Sequence, residues 1–249
     1  MFLLTIYHDI IYRPLLNLLI FAYNIIPGHD IGITIIVVTI VIRLLLAPSF
    51  HKSLSSQKKL NDLQPKINEL REKHKDNKEV QAKAMMDLYK EHKINPLSSC
   101  LPILIQLPIL IALYQTFRIA LGTGDIAGLY SFVHSPGVIS PYFIHLIDLS
   151  KTALIGSHIY WPALILGIIA GLAQYWQGKL MLPKTPNSDP TAKIMATQTT
   201  YILPLFSVFI SLRLPAGLPL YWVVTTLFAV GQQYYIIKTH DRLQQNWNC

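Results

Sequence analysis

One arginine stands in the most apolar stretch of the sequence. Arg43 interrupts IGITIIVVTIVIRLLLAP, residues 31–48, five positions before Pro48. A guanidinium keeps its charge at any accessible pH. At the centre of a membrane span it costs about 2.5–3.5 kcal/mol on insertion scales. Two readings follow. The side chain can snorkel, laying its methylenes along the helix and its head at the nearer interface. Alternatively it faces a water-filled cavity between helices and meets an anionic group there. No Asp or Glu lies in any of the apolar runs, so the sequence offers no carboxylate at that depth, and both readings stand.

Glutamines recur in the later apolar runs: Gln106, Gln174, Gln177, Gln232 and Gln233. A glutamine in a span can simply bond helix to helix, for about 0.6 kcal/mol on average. Taken together with Arg43, the set would line one hydrophilic pocket closed to the outside.

Other chemistries find no support. The sequence has no HExxH, GxSxG or P-loop. GTGDIAG, residues 122–128, follows no strand and opens no helix, so it is not a dinucleotide fingerprint. Coupled transporters use a carboxylate or unwound carbonyls at mid-membrane, and the apolar runs contain no acid. The two cysteines, Cys100 and Cys249, show no metal-ligand spacing and no disulfide framework. No catalytic residue, metal or cofactor is expected.

These residues must be positioned by helices in a bilayer. The 249-residue chain is 52% hydrophobic and 14% charged, against about 25% charged in an ordinary soluble domain. A span needs about 20 mostly apolar residues. Five segments qualify, at about 31–48, 97–117, 159–177, 199–212 and 218–237. The fourth is short, and LPAGLP (214–219) links it tightly to the fifth. PLLNLLIFAYNII, residues 14–26, is too short to cross comfortably and reads as an interfacial helix; a sixth span is the alternative.

Charge is concentrated between His51 and Asn95, which hold 11 Lys/Arg and 7 Asp/Glu. Leu60, Leu63, Ile67 and Leu70 form one apolar stripe there, and Val80, Ala84 and Leu88 form another. HKDNK (74–78) is a polar break between them. The segment predicts a short helical hairpin, with an irregularity at Pro65. The net charge of +8 therefore reflects topology rather than nucleic-acid binding. With five spans, one side carries 16 basic residues and the other 4. The positive-inside rule places the hairpin and the C-terminus in the cytoplasm and the N-terminus outside. The first residues resemble neither a cleavable signal nor a transit peptide.

Three stretches resemble the YidC/Oxa/Alb family of membrane protein insertases. The first is LQPKINELREKHKDNKEVQAKAMMDLYKEHKINPLSSCLPILIQLPI, residues 63–109. The second, within 203–233, carries LPLF, LPAGLPLYW and QQ. The third is Arg43, one helix before the hairpin. Two positions depart from the family pattern: Ser99 stands where Gly is frequent, and Thr226 where Asn is usual. The resemblance implies an all-α integral membrane fold: a five-helix transmembrane core (31–238), a cytoplasmic helical hairpin (51–95), an outside segment with an interfacial helix (1–30) and a short cytoplasmic tail (239–249).

It also implies a substrate groove open to cytoplasm and lipid that holds Arg43, Gln174 and Trp222; Gln106, Gln177, Thr226, Gln232 and Gln233 are the further candidates for its lining. The implied partners are nascent membrane proteins and the lipid bilayer, with the Sec translocon and the ribosome as further candidates. The implied location is the bacterial inner membrane. A structural assembly factor and a small-solute channel are the rival classes. On the charge asymmetry, single cysteines placed between positions 60 and 90 should escape membrane-impermeant thiol labelling in intact cells. Labelling there would invert the topology.

Overall fold

A chain that buries its backbone away from water must pair its own N–H and C=O groups, and helices do so within one segment. The computed structural model, which describes residues 2–92, 95, 101–120, 126–180, 182, 194 and 196–247, is mostly helical. Residues 97–100 of the second expected span, with Ser99 and Cys100, lie outside the described residues. So do Gly122, Gly124, Lys184, Lys193 and Cys249.

The helices are α1 (Phe2–Tyr7), α2 (Arg13–Ile25), α3 (Ile31–Asp62), α4 (Gln64–Lys73), α5 (Lys78–Glu91), α6 (Leu101–Ala120), α7 (Trp161–Leu180), α8 (Leu203–Ser211) and α9 (Gly217–Trp247). Wider π-helical turns, His8–Tyr12 and Gln198–Ile202, join α1 to α2 and lead into α8. Among the described residues one helix, α3, is long and apolar enough by itself to cross a bilayer; Ile105–Ala120 and Gln198–Ser211 are shorter apolar helices.

The chain divides into two compact units. The first comprises Met1–Leu45, Ile103–Ala173 and Leu205–Phe228. Its core joins Leu16, Leu19 and Ile20 of α2, Ile31, Ile35 and Val38 of α3, Leu113 and Phe117 of α6, and Leu218, Tyr221 and Trp222 of α9. Helix starts at Phe2, twelve residues before the Pro14 start expected from apolar content. Pro14 sits in the first turn of α2, where it has no intrahelical N–H to lose.

The long segment before α7 holds two small antiparallel hairpins. Strand β1 (Tyr142–Phe143) pairs with β2 (Ile147–Asp148), and β3 (Leu154–Ile155) with β4 (His158–Ile159). Backbone bonds tie this segment to the α8–α9 link. Leu154 N–H donates to Leu212 at 3.2 Å, Ala216 N–H to Lys151 at 2.9 Å and Gly217 N–H to Leu149 at 3.1 Å. Asn17 of α2 holds the same segment from another side, accepting from Tyr130 N–H at 2.7 Å and donating to the Gly128 carbonyl at 3.2 Å.

Asp30 is the junction of α3 with the β1–β2 hairpin. Its Oδ1 accepts from Ile33 N–H at 2.9 Å, capping the helix, and its Oδ2 accepts from Ile144 N–H at 2.5 Å. A carboxylate there also complements the positive end of the helix dipole. Two residues on, Phe143 lies against Gly32 so closely that a Cβ on Gly32 would come within 2.2 Å of the ring. Glycines serve α7 similarly: a Cβ on Gly167 would meet Ser211 Oγ at 2.2 Å, and one on Gly178 would meet Thr200 Cα at 2.9 Å.

The second unit comprises Leu46–Pro102, Gln174–Pro204 and Ala229–Cys249. Here α3 continues past Pro48 to Asp62, although Pro48 supplies no N–H to the preceding turn. The helix breaks at Leu63, and Pro65 lies in the first turn of α4. Leu63 and Ile67 are buried, with Leu60, Met85, Leu88 and Tyr89 packed around them. Asn77 caps α5, its side-chain oxygen accepting from Glu79 N–H at 3.2 Å and Val80 N–H at 3.1 Å. Burial raises the Tyr89 hydroxyl above its ordinary range, while the nearby Arg71 charge opposes that rise.

Asp30→Ala should destabilise the protein by about 1–2 kcal/mol, the loss of a helix cap. Gly32→Ala should destabilise it by about 1–3 kcal/mol through overpacking against Phe143. Thermal unfolding in detergent measures both. Combining Gly32→Ala with Phe143→Ala should be less damaging than the sum of the two. Strict additivity would mean that the two residues do not share the contact.

Candidate functional site

Arg43 lies twelve residues into α3 and is 7% exposed. Its Nε–H donates to Thr225 Oγ1 of α9, 182 residues away in sequence. One turn before Thr225 on the same helix, Tyr221 is buried. Its hydroxyl accepts a hydrogen bond from Gln106 Nε2 of α6. Tyr221 also lies within hydrogen-bonding reach of Thr225 and within the field of Arg43. Three helices of the first unit thus contribute to one buried polar chain, Gln106–Tyr221–Thr225–Arg43.

The residues follow from helix geometry. Positions 221 and 225 are four apart and share a face of α9. Trp222 and Thr226 form the adjacent i, i+4 pair and are buried as well. The surroundings are apolar, with Val38 and Leu113 in the same core. A guanidinium in such surroundings must be hydrogen-bonded, or its burial is prohibitive. The Thr225 hydroxyl is a neutral acceptor for one of the guanidinium donors. No group of three or more His, Cys, Asp or Glu among the described residues could hold a metal ion.

The other candidate residues belong to the second unit. Gln174, Gln232 and Gln233 each have a side-chain oxygen that is buried and without a hydrogen-bond partner among the described residues, as does the Thr200 hydroxyl. Gln177 is half-buried. Near the end of α7 the Lys179 ammonium lies over two tyrosine rings, 5.5 Å from the Tyr175 centroid and 5.7 Å from that of Tyr201. Hydrogen bonding to the Tyr201 and Tyr175 hydroxyls raises the Lys179 pKa.

Sequence reasoning picked out Arg43, Gln106, Trp222 and Thr226, and missed Thr225 and Tyr221. Their signal was present in outline: two hydroxyl-bearing residues at i, i+4 in an apolar helix. Nothing in the sequence says that Arg43 is what they meet.

A family model described as 60Kd inner membrane protein matches residues 21–244. The chain belongs to this family. Relatives named membrane protein insertase YidC include that of Geotalea daltonii, 35% identical over 229 residues, covering 91% of this chain and 37% of the relative. That of Syntrophus aciditrophicus is 38% identical over 227 residues, covering 90% of this chain and 36% of the relative. The chain therefore spans little more than a third of those proteins. The Clostridium tetani relative is matched nearly throughout: 34% identity over 220 residues covers 88% of this chain and 87% of the relative. The matched region of the 60Kd inner membrane protein family contains every residue of the buried polar chain.

Thr225→Val removes the acceptor for the Arg43 Nε–H while preserving shape. A hydrogen bond to a charged group contributes about 1.5–3 kcal/mol, so the variant should unfold several degrees lower in detergent. Thr225→Ser should recover most of the loss. If valine and serine behave alike, the hydroxyl contributes nothing.

Proposed function

We propose that this protein is a membrane protein insertase that accepts newly made membrane proteins into a hydrophilic groove open to cytoplasm and lipid. The observation that carries this reading is the buried cation Arg43, hydrogen-bonded to the neutral Thr225 hydroxyl. Family membership and the insertase names of its relatives support it.

In this reading five helices cross the inner membrane, at about 31–48, 97–117, 159–177, 199–212 and 218–237, with the N-terminus outside and the C-terminus in the cytoplasm. The helical segment 51–95 is cytoplasmic and recruits substrate or partners, among which the Sec translocon and the ribosome are proposed. Arg43 lines the groove with Gln106, Trp222 and Thr226. Gln174, by the family resemblance, and Gln177, Gln232 and Gln233, by their place in the apolar runs, are assigned the same polar role.

The proposed mechanism is electrostatic capture followed by hydrophobic transfer. A short hydrophilic end of the substrate enters the groove, where apolar walls strengthen the attraction of its carboxylates to Arg43 relative to water. The adjoining apolar segment moves into lipid. Burying apolar surface contributes about 25 cal/mol per Å², so no nucleotide and no covalent step are required. The protein acts as a chaperone rather than as an enzyme.

Arg43→Ala should reduce insertion of substrates with acidic translocated ends severalfold, and of matched neutral substrates much less. The variant also removes the cost of holding a charge near lipid, so thermal stability should change little. Arg43→Lys keeps the charge but loses the planar fork and should retain most activity. Liposomes containing only this protein, with paired single-span substrates, provide the measurement. Equal losses for acidic and neutral substrates would make Arg43 structural and reject the capture mechanism.

A further inference from the structure

The tip of the β1–β2 hairpin is built against the rules of its own turn. Phe143–Leu146 is a tight turn closed by Leu146 N–H to the Phe143 carbonyl at 3.0 Å, with Ile144 at φ 50° and His145 at φ 59°. Turns with both central residues at positive φ strongly prefer Asn-Gly or Asp-Gly, and a β-branched residue there is a steric outlier. Burial gives no compensation, because Ile144 is 56% exposed and the adjacent Leu146 78% exposed. Neither turn chemistry nor the protein core accounts for isoleucine here. Strain of this kind persists where the surroundings over-determine it, and it clusters at functional sites.

The surroundings do fix this tip. Asp30 grips Ile144 N–H, and Phe143 lies on Gly32, so the turn is anchored within two residues of the start of α3. The exposed apolar positions of α3 begin at Ile33, one residue beyond Gly32. Trp161, which opens α7 immediately after the second hairpin, is also exposed. Tryptophan at a helix start is the residue type that favours a membrane–water interface.

We propose that the Ile144–Leu146 tip is a membrane-inserting finger that seats in the headgroup–acyl boundary of the outer leaflet. The inference rests on the topology proposed above, in which the start of α3 lies at the outer surface. Two branched aliphatic side chains at a rigid turn would enter the boundary region, and no Lys or Arg stands between Phe143 and Leu146. The occupant is lipid rather than a protein partner because the tip is tied to the outer end of a helix whose exposed residues from Ile33 to Leu45 are all apolar.

Site-directed spin labelling tests this. Nitroxides go on Ile144→Cys and Leu146→Cys, with Cys100 and Cys249 changed to Ser, in phosphatidylethanolamine–phosphatidylglycerol liposomes. Val41→Cys in α3 is the lipid reference and Lys83→Cys in α5 the aqueous one. The ratio of collisions with oxygen to collisions with a nickel chelate should be severalfold higher at 144 and 146 than at 83, approaching that at 41. A low ratio at the tip with a high ratio at 41 would overturn the finger and leave the topology standing. A low ratio at 41 as well would overturn both. Low collision with both reagents at the tip would mean cover by protein, such as a second copy of the chain, and would also overturn the proposal.

Discussion

A guanidinium removed from water has to be met by acceptors, and in an apolar helical protein those acceptors come from other helices. Arg43 meets Thr225, which binds α3 to α9 across 182 residues of sequence. Tyr221 on the same face of α9 meets Gln106, which adds α6. Leu113 and Phe117 of α6, Ile35 and Val38 of α3, and Leu218 and Trp222 of α9 belong to the apolar core of the same unit. One acceptor for Arg43 is the Thr225 hydroxyl, which meets the Nε–H without carrying a charge of its own.

A second requirement operates at the start of α3, where two free oxygens on one side chain are divided between two structures. Asp30 caps the helix with one and fixes the β1–β2 turn with the other. The loop before α7 is thereby ordered from three directions: by Asp30, by Asn17 and by the backbone bonds to the α8–α9 link. A long connection rich in glycine and proline would otherwise have little reason to hold one conformation.

The features legible in the sequence were those carried by local pattern. Arg43 stood out because a single charge in an apolar run is improbable without a role. The polar break at 74–78 and the proline at 65 likewise mark places where helix cannot continue unchanged, and α4 and α5 lie on either side of that break. Other features depend on partners far away in the chain and left no local trace. Thr225 looks like any threonine in a span until Arg43 is placed opposite it. The two-residue strands are too short to show alternation, and Ile144-His145 lacks the Asn-Gly signature by which such a turn would be found. The helix from Phe2 was obscured for a different reason. Phe2–Tyr7 is mostly apolar, but His8, Asp9 and Arg13 interrupt the run, and apolar content alone placed the start at Pro14.

Gly167 and Gly178 are eleven residues apart on α7, close to three full turns, so they lie on one face of that helix. Each is pressed against the stretch that runs from Thr200 to Ser211. That spacing constrains how the gene can change. Replacing one lipid-facing leucine by another alters little, but inserting or deleting a single codon between the two glycines would rotate one contact by about 100° relative to the other. A bulky neighbour would then face a backbone that has no room for it. The length of this part of α7 should therefore stay fixed even where its lipid-facing residues change.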